Sequence, residues 1–202
     1  MPRRYPQLTF TESVRQAQRD HGSRPNGERL EAMEIDDATL TEQEIAFIGE
    51  RDGFYMATVT ESGWPYVQFR GGPPGFLKVI DPRTLAFADF RGNRQYISTG
   101  NLRATRRSAL ILMDYANRQR MKIMATVEVV DARDNPDLAA RVRPGGYKAV
   151  VERIFILKVE AFDWNCPQHI TPRYTAQEIV EREAELRARI AELERRLDSS
   201  GR

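Results

Sequence analysis

Hydrophobic and polar residues alternate with a period of two along the middle of the chain, which is typical of β-strands. The apolar runs follow one another at short spacing, in the order FYMATVT, WPYVQFR, GFLKVI, TLAFADF, SALILMDY, MKIMATVEVVD and VERIFILKVEAFDW. ESG separates the first two runs and DPR separates the next two, and both triplets favour hairpin turns. Six or seven strands connected this closely predict a mainly β, antiparallel sheet or closed barrel and argue against a βαβ fold.

Helical patterns flank this β-rich region. The polar, Arg-rich first forty residues carry one short helix signal in TFTESVRQAQRDHGS, where Thr9 and Glu12 have capping-box spacing and Gly22 is expected to end the helix. A second helix is predicted over LTEQEIAFIGERDG, which pairs Thr41 with Glu44 and should continue as far as the glycine at 53. The apolar positions of this second helix are expected to be partly buried: Ile45, Phe47 and Ile48.

The last segment of the chain has a heptad-like pattern. Its apolar residues are spaced by 7, 4, 3 and 4 positions, with charged residues between them: Ile179, Leu186, Ile190, Leu193 and Leu197. This spacing predicts an amphipathic helix of about six turns. Two interpretations remain open, namely that the helix lies along its own barrel or that it forms a seam with a second chain.

These elements divide the chain into three regions. Residues 1–39 form an N-terminal arm, residues 40–174 a single β domain, and residues 175–202 a charged C-terminal helix. Within the β domain, QYISTGNLRAT is predicted to be a helix, and the insertion at residues 131–147 is predicted to contain one helical turn. At 202 residues the chain is long enough for one well-packed domain with extensions.

Composition narrows the class of protein. With 41% hydrophobic and 30% charged residues, no apolar run of roughly 20 residues and no signal-peptide core at the start, we expect a cytoplasmic protein that does not enter a membrane. The net charge of +2 disfavours general nucleic-acid binding, and the six arginines among the first thirty residues lack the interleaved aromatic residues of such sites. Two histidines and Cys166 give no spacing typical of metal ligands.

The stretch FRGNRQYISTGN follows a predicted strand and leads into a predicted helix. Arg91, Asn93, Arg94 and Gln95 therefore precede the N-terminus of that helix, where backbone N–H groups and guanidinium groups can converge on one anion. Arginine offers a planar fork for two oxygens, which suits a phosphate. The alternative is a solvated turn with surface arginines.

A second polar cluster lies on the strand containing VQFRGG. Alternation places Gln68 and Arg70 on one face and Val67 and Phe69 on the other, and Lys78 follows after a Gly-Gly-Pro-Pro loop. This strand face is either directed to solvent or, together with the first cluster, directed to a shared anionic ligand.

The segment DWNCPQHITPRYT follows the last strand. Trp164, Asn165, Gln168 and His169 combine an aromatic face with hydrogen-bonding groups, which suits the wall of a ligand site, although an ordinary connecting loop is the alternative. Cys166 and His169 do not have a spacing that predicts a nucleophile and its base.

Taken together, the segments RGGPPGFLKV, FRGNRQYISTGN and DWNCPQHITP, in this order over residues 40–174, resemble the pyridoxamine 5'-phosphate oxidase-like flavoprotein family, in a largely uncharacterised branch of it. The resemblance implies a split β-barrel, a homodimer and FMN bound between the two subunits. It also implies a small-molecule substrate or electron donor.

The resemblance carries particular roles to particular residues. It implies phosphate contacts from Arg70, Lys78, Asn93 and Arg94. It implies contacts with the isoalloxazine ring from the second strand, which runs from Tyr66 through Val67, Gln68 and Phe69 to Arg70. The other implied cofactor contacts are Gly71, Asp89, Arg91, Gln95, Arg120, Lys122, Asn165, Gln168, His169 and, across the dimer, Trp164.

Two departures limit the resemblance. Where the oxidase has Arg-Gln-Val with the glutamine towards the flavin, this chain has Arg-Gln-Arg, and Arg120 is aligned with that glutamine. The oxidase's Arg-x-His signature is also missing, because His169 and Arg173 occur in the reverse order. These departures argue against oxidation of vitamin B6 itself. The expected function is hydride transfer to or from a flavin. Two alternatives remain open: a non-catalytic flavin- or haem-related sensor on the same barrel, and a deazaflavin in place of FMN.

Overall fold

A computed structural model describes residues 2–200. Seven strands form one antiparallel sheet in the order β2-β1-β5-β6-β7-β4-β3, and this sheet is not closed. The strands are β1 Gly53–Val59, β2 Pro65–Gly71, β3 Lys78–Asp81, β4 Thr84–Phe90, β5 Arg107–Asp114, β6 Gln119–Asp131 and β7 Val151–Trp164. The helices are α1 Arg4–Thr9, α2 Glu12–Asp20, α3 Arg24–Ala32, α4 Glu42–Gly49, α5 Ile97–Thr105, α6 Pro136–Val142 and α7 Ala176–Ser200.

The chain forms two compact units. The first contains the described residues up to Met113 together with Arg120–Cys166, and therefore most of the sheet and the N-terminal arm. The second contains Asp114–Gln119 and the described residues from Pro167 onwards. The region boundaries expected at residues 39/40 and 174/175 remain predictions.

The core of the first unit is aromatic. Phe87 and Phe155, which are register partners on β4 and β7, stack with ring centroids 4.9 Å apart. Phe54 of β1 stacks on Phe76 at 5.5 Å and meets Phe87 edge-on at 5.3 Å. All four rings are fully buried, so residues from both ends of the sheet pack on one another. The sheet is therefore curled around one core, as the predicted split barrel requires.

Strand β2 has an inverted polarity. The predicted alternation is present, but the polar side chains of Gln68 and Arg70 are the half-buried ones, whereas Val67 and Phe69 are 60% and 57% exposed. The outward ring of Phe69 packs closely over Gly53, where an added Cβ would approach a ring carbon to 2.4 Å. The polar residues of β2 thus face the interior of the barrel, close to its open edge.

Helix α4 begins with the predicted capping box. Thr41 N donates to Glu44 Oε2 over 2.9 Å, and Trp164 Nε1 donates to Glu44 Oε1 over 2.8 Å. Burial alone would raise the pKa of Glu44, but these hydrogen bonds outweigh it and lower the pKa. Two details were wrong: α4 ends at Gly49, four residues before Gly53 opens β1, and Ile45 is exposed rather than partly buried.

The N-terminal arm contains three helices instead of the single one predicted. Thr9 ends α1, and Thr11 occupies the N-cap position of α2, so the expected Thr9 capping box was wrong; Gly22 follows α2 with a φ of 69°, as expected. The arm is held by ion pairs, since Arg3 contacts Asp37 and Asp163.

Most of the remaining arginines of the arm are also paired with carboxylates. Arg4 Nη2 lies 2.6 Å from Glu160 Oε2 on β7, and Arg15 and Arg24 both contact Glu31. The positive charge of the arm is therefore neutralised within the chain, which removes the main argument for nucleic-acid binding. Among the described residues, no helix is both long and apolar enough to span a membrane.

Candidate functional site

A cleft of about 130 Å³ opens beside β2, and we call it the small cleft. It is bounded by the inward face of β2, the end of β4, the loop that follows β4, the first turn of α5 and one side chain of β7. Its lining residues are Tyr66, Gln68, Arg70, Asp89, Phe90, Gly92, Asn93, Arg94, Gln95, Tyr96, Ile97, Ser98, Thr99 and Arg153.

The loop between β4 and α5 has an unusual backbone. Arg94 and Tyr96 both have left-handed conformations, with φ of 60° and 56°. Each such residue other than glycine costs about 1 to 3 kcal/mol, and strain of this kind concentrates at functional sites. Left-handed residues next to ordinary ones also turn successive N–H groups towards one side, which forms an anion-binding concavity. Asn93 steadies the loop, because its Oδ1 accepts a hydrogen bond from Gln95 N over 3.1 Å.

Helix α5 is joined to the first two strands by polar contacts. Ser98 Oγ donates to Gln68 Oε1 of β2 over 3.0 Å, and Asn101 Nδ2 donates to Thr58 Oγ1 of β1 over 2.9 Å. Ser98, Asn101 and Thr58 are all buried. The first-turn N–H groups of a helix have no carbonyl partner within the helix, and here that turn lines the small cleft.

Charge at the base of the small cleft is organised around Asp89. This carboxylate is buried, contacts Arg70 through Oδ1 and accepts from Arg153 Nη2 through Oδ2 over 2.7 Å. Burial alone would lower the pKa of Arg153, but the hydrogen bond and the charge of Asp89 raise it. Arg153 Nη2 also lies 3.0 Å from Glu152 Oε2, so the two guanidinium groups at the base are balanced by two carboxylates, and Arg94 adds a positive charge at the lining of the cleft.

Arg70 is fixed by rings as well as by charge. Its guanidinium carbon lies 5.1 Å from the ring centroid of Phe155 and 5.8 Å from that of Phe87. Its Nε is buried, and within the part of the chain that the structure describes it has no hydrogen-bond partner. A buried N–H donor without a partner is costly, which makes this nitrogen a candidate donor to a bound acceptor.

Tyr96 forms the wall of the small cleft. Its hydroxyl accepts from Arg94 Nε over 3.2 Å and donates to Glu152 Oε2 over 3.3 Å, while the guanidinium of Arg153 lies 4.4 Å from the ring centroid. The hydrogen bond with Tyr96 raises the pKa of Arg94, which therefore remains a cation.

A larger cleft of about 530 Å³ lies on the other side of Tyr96, and we call it the large cleft. Four valines contribute to its surface, and its ion pairs join Arg91 to Glu152 and Arg133 to Asp131. Its lining residues are Arg91, Tyr96, Thr99, Arg103, Val129, Val130, Asp131, Arg133, Val150, Val151, Glu152 and Arg153. The two clefts share Tyr96, Thr99 and Arg153.

The sequence of the β domain agrees with one known family. A sequence model of the pyridoxamine 5'-phosphate oxidase family matches residues 40–161, more than half of the chain. The chain belongs to this family. No curated protein matches the chain.

Several solved structures are similar to this chain, and one of them is classed in the pyridoxamine 5'-phosphate oxidase family. A protein from Lactobacillus delbrueckii, classed as a pyridoxamine 5'-phosphate oxidase, is 20% identical with a TM-score of 0.50, over 64% of this chain and 97% of that one. An FMN-binding protein from Syntrophomonas wolfei is 15% identical with a TM-score of 0.45, over 77% of this chain and 96% of that one. An F420 reductase is 18% identical with a TM-score of 0.45, over 61% and 98%. The first similarity confirms the split-barrel fold.

The family resemblance and the pattern of polar residues had together suggested eighteen cofactor contacts, and the structure brings seven of these side chains together. The seven that line the small cleft are Tyr66, Gln68, Arg70, Asp89, Asn93, Arg94 and Gln95. Arg91 lines the large cleft instead, where its Nε donates to Glu152 over 2.9 Å. Val67, Phe69 and Gly71 alternate with the cleft residues on the outer side of β2. Lys78 lies on β3, at the opposite edge of the sheet from β2.

The remaining predicted contacts lie outside both clefts. Arg120 and Lys122 flank the buried Met121 on β6 and are therefore directed away from the core. The indole of Trp164 packs on Phe47 with ring centroids 4.7 Å apart, in addition to its bond with Glu44. Asn165 is half-buried at the end of the first unit, and two exposed residues belong to the second unit: Gln168 and His169.

Seven of the fourteen residues that line the small cleft were not predicted as site residues, and Tyr96, Ser98 and Arg153 are among them. Tyr96 and Ser98 were assigned only to a helix, and Arg153 only to a strand. A signal for Arg153 exists, because charged residues inside otherwise apolar strands need partners, and Asp89 in TLAFADF is its register partner on β4. The left-handed conformation of Tyr96 leaves no comparable signal in the sequence.

Proposed function

We propose that this chain is an FMN-dependent oxidoreductase of the pyridoxamine 5'-phosphate oxidase family and holds the cofactor's phosphate in the small cleft. The observation that carries the proposal is the loop after β4. It combines two left-handed residues, a cationic Arg94 and the first turn of α5 around a cleft whose lining contains three arginines and one carboxylate. This combination fits a phosphate, because N–H groups and guanidinium groups both donate to anionic oxygens.

The cleft residues divide the work of holding the phosphate. Arg94 is exposed and offers its guanidinium nitrogens, whereas Arg70 is held below by Asp89 and offers the unpartnered Nε. Gln68 is already oriented by Ser98, so its side chain is fixed before a ligand binds. We assign the phosphate to the space between Arg94, Gln68 and the first turn of α5.

The ring system of the cofactor is proposed to lie outside the small cleft. A volume of about 130 Å³ is below the roughly 300 to 1,000 Å³ of sites that enclose a whole ligand. Strand β2 is an edge of the sheet, and an edge strand presents backbone N–H and C=O groups without strand partners. The stretch from Tyr66 to Arg70 is therefore the proposed contact with the flavin ring.

A homodimer is proposed to complete the site. The outer face of β1, β2 and β5 is apolar, with Tyr55 opposite both Phe69 and Ile111 in the register and Val67 beside them. Tyr55, Val67 and Phe69 are exposed in the single chain, and Tyr55 and Phe69 form an edge-on pair at 5.3 Å. A contiguous exposed apolar face next to a ligand cleft is typical of a protein interface.

The chemistry follows from the cofactor. A bound flavin accepts or donates a hydride at N5, and the protein contributes binding, orientation and electrostatics. Arg120 or Lys122 is proposed as the cation that stabilises the reduced, anionic ring, and the segment from Trp164 to His169 as a wall that one protomer supplies to its partner. The substrate or electron donor is a small molecule.

A non-catalytic flavin carrier is the second candidate, because the barrel alone does not determine turnover. The first test is an absorption spectrum of the purified protein, followed by release of any bound cofactor and determination of its mass. We expect flavin bands and released FMN. A colourless protein that also fails to bind added FMN would overturn the proposal. Turnover faster than that of free FMN with some donor or acceptor would separate the enzyme from the carrier.

A further inference from the structure

Helix α7 exposes an apolar stripe along its whole length. Its 25 residues extend for about 37 Å at the usual rise of a helix. The five apolar residues of the stripe are between 42% and 73% exposed in the single chain: Ile179, Leu186, Ile190, Leu193 and Leu197. Exposure of this size at regular spacing calls for a partner surface.

The spacing of the stripe assigns the heptad positions. Steps of 7, 4, 3 and 4 place Ile179, Leu186 and Leu193 at d and Ile190 and Leu197 at a. Val180 at e is also exposed, but the other large apolar residues of the helix follow a and d. Such a stripe is the narrow seam of a coiled coil, whereas a helix that packs on a globular core has a wider apolar face. The partner is therefore another helix with the same period.

We propose that α7 pairs with α7 of a second copy of this chain as a parallel, in-register, two-stranded coiled coil. The a and d residues favour two strands, because β-branched Ile190 at a lies between Leu186 and Leu193 at d. This interface is separate from the outer face of β1, β2 and β5, and it does not depend on the cofactor.

The charges beside the seam select the direction of the pair. In a parallel pair, Arg189 at g faces Glu194 at e of the second copy, and this attraction occurs twice by symmetry. In the antiparallel alignment that buries all five apolar residues, g positions face g positions. Arg189 would then face Arg189 of the second copy, and Arg182 would face Arg196 of the second copy. Arginines would therefore oppose one another along the pair.

Glu183 occupies an a position and explains why the pairing is selective. In the single helix Arg187 Nη2 lies 3.3 Å from Glu183 Oε2. In the parallel, in-register pair the two Glu183 carboxylates face each other, which is unfavourable, and Arg182 at g of the second copy compensates part of their charge. A polar residue at one a position reduces stability but specifies the register. The parallel pair also contains an unfavourable contact between Arg182 and Arg187 of the second copy. A coiled coil of about three heptads with this contact is expected to be weak alone and to need a second interface between the two chains.

The test is disulfide cross-linking of the full-length chain in a Cys166→Ser background, which removes the native exposed thiol. In a parallel, in-register pair, Leu193→Cys brings two identical d positions together. We expect it to form a covalent dimer on mild oxidation at a rate roughly tenfold or more above that of a control. The matched control is Ala188→Cys, an f position on the outer side of the same helix.

Two results would overturn the proposal. One is equal cross-linking of the two variants. The other is preferential cross-linking in a mixture of Leu193→Cys and Glu183→Cys chains, which face each other only in the antiparallel alignment. The experiment is repeated after release of any cofactor. Cross-linking that is the same with and without cofactor tests the coiled coil independently of the proposed FMN site. A double variant that also carries Glu183→Leu should cross-link more completely, because the partly compensated charge at a is replaced by an apolar side chain.

Discussion

The two clefts on either side of Tyr96 share three residues and yet differ in almost every physical respect. The small cleft has a strained loop and a buried carboxylate, Asp89, that is 4% exposed. Its volume is large enough for a phosphate but not for a whole cofactor. The large cleft is about four times larger and has a valine-rich surface. One of its ion pairs lies near solvent: the side chains of Arg133 and Asp131 are 88% and 33% exposed.

The difference indicates that volume is a poor guide to the binding site in this protein. Anion preference requires donors fixed in advance, and these are concentrated in the small cleft through Arg94, Gln68 and α5. In the large cleft each carboxylate already compensates an arginine: Asp131 accepts from Arg133, which lowers its pKa to about 2, and Glu152 accepts from Arg91. The carboxylates of the large cleft are thus already engaged by arginines of the same cleft, so the substitutions below are expected to separate the two clefts.

The largest effect is expected from Asp89→Asn. The substitution leaves Arg70 without its carboxylate in the buried base of the small cleft, and loss of one partner of a buried pair costs about 3 to 5 kcal/mol. Thermal or urea unfolding measures this loss. Asp131→Asn is the matched control, because it removes an Asp–Arg pair from the large cleft at an exposed position, and its melting temperature should stay close to that of the wild type. Equal destabilisation by the two substitutions would contradict the contrast between the clefts.

Arg94→Ala is expected to weaken FMN binding about tenfold or more, because a hydrogen bond to a charged group contributes about 1.5 to 3 kcal/mol. Fluorescence titration of the apoprotein measures the affinity. Arg118→Ala is the control: Arg118 has a φ of 54° in the turn between β5 and β6, so alanine meets the same backbone strain there without touching the small cleft. Wild-type affinity in the Arg94 variant would mean that the phosphate binds elsewhere.

A smaller effect is expected from acid. The hydrogen bond from Arg91 lowers the pKa of Glu152, and Arg153 adds to the shift. A carboxyl group whose pKa is depressed in the folded state contributes stability above its usual pKa, and this contribution disappears as the pH falls through the lower, folded-state value. The melting temperature of the wild type should therefore fall more steeply than that of Glu152→Gln between about pH 5 and about pH 3. If the melting temperatures of the two proteins fell equally with pH, Glu152 would not contribute to the charge network between the clefts.

The smallest effect is expected from Arg103→Ala. Arg103 is exposed on α5 and lines only the large cleft. FMN affinity should change by less than about twofold, since an exposed charge outside the site contributes little after screening. A tenfold loss would show that the cofactor extends into the large cleft, which is the outcome expected for a phosphodiester-linked cofactor rather than for FMN.

The parts of the fold that depend on neighbouring residues could be predicted from the sequence. The β1–β2 hairpin and the Thr41–Glu44 capping box follow from alternation, turn residues and a spacing of three. The helices α1 and α3 were missed, because the arm is stabilised by contacts such as Arg3 with Asp163, which lie 160 positions apart. A pattern of neighbouring residues cannot predict a contact between residues so far apart in the sequence.

The candidate site divides in the same way. FRGNRQYISTGN predicts an anion site, because glycine, asparagine and arginine before a helix are typical of one, and its loop does line the small cleft. Arg153 was missed because its role depends on the β4–β7 register, which brings it opposite Asp89. The exposed position of Phe69, a large apolar side chain, likewise depends on how the sheet curls and on what covers its outer face.

The pairing of β4 with β7 has a consequence for synthesis of the chain. β4 ends at residue 90 and the part of β7 that pairs with it ends at Lys158, so 158 − 90 = 68 residues must be added before β4 has its complete neighbour. At typical elongation rates of about 5 to 20 residues per second this delay is roughly 3 to 14 s. During that interval Asp89 has no Arg153, and the apolar edge of the β3–β4 hairpin is uncovered. The nascent protein is thus most exposed to misassembly and chaperone binding just before its last strand leaves the ribosome.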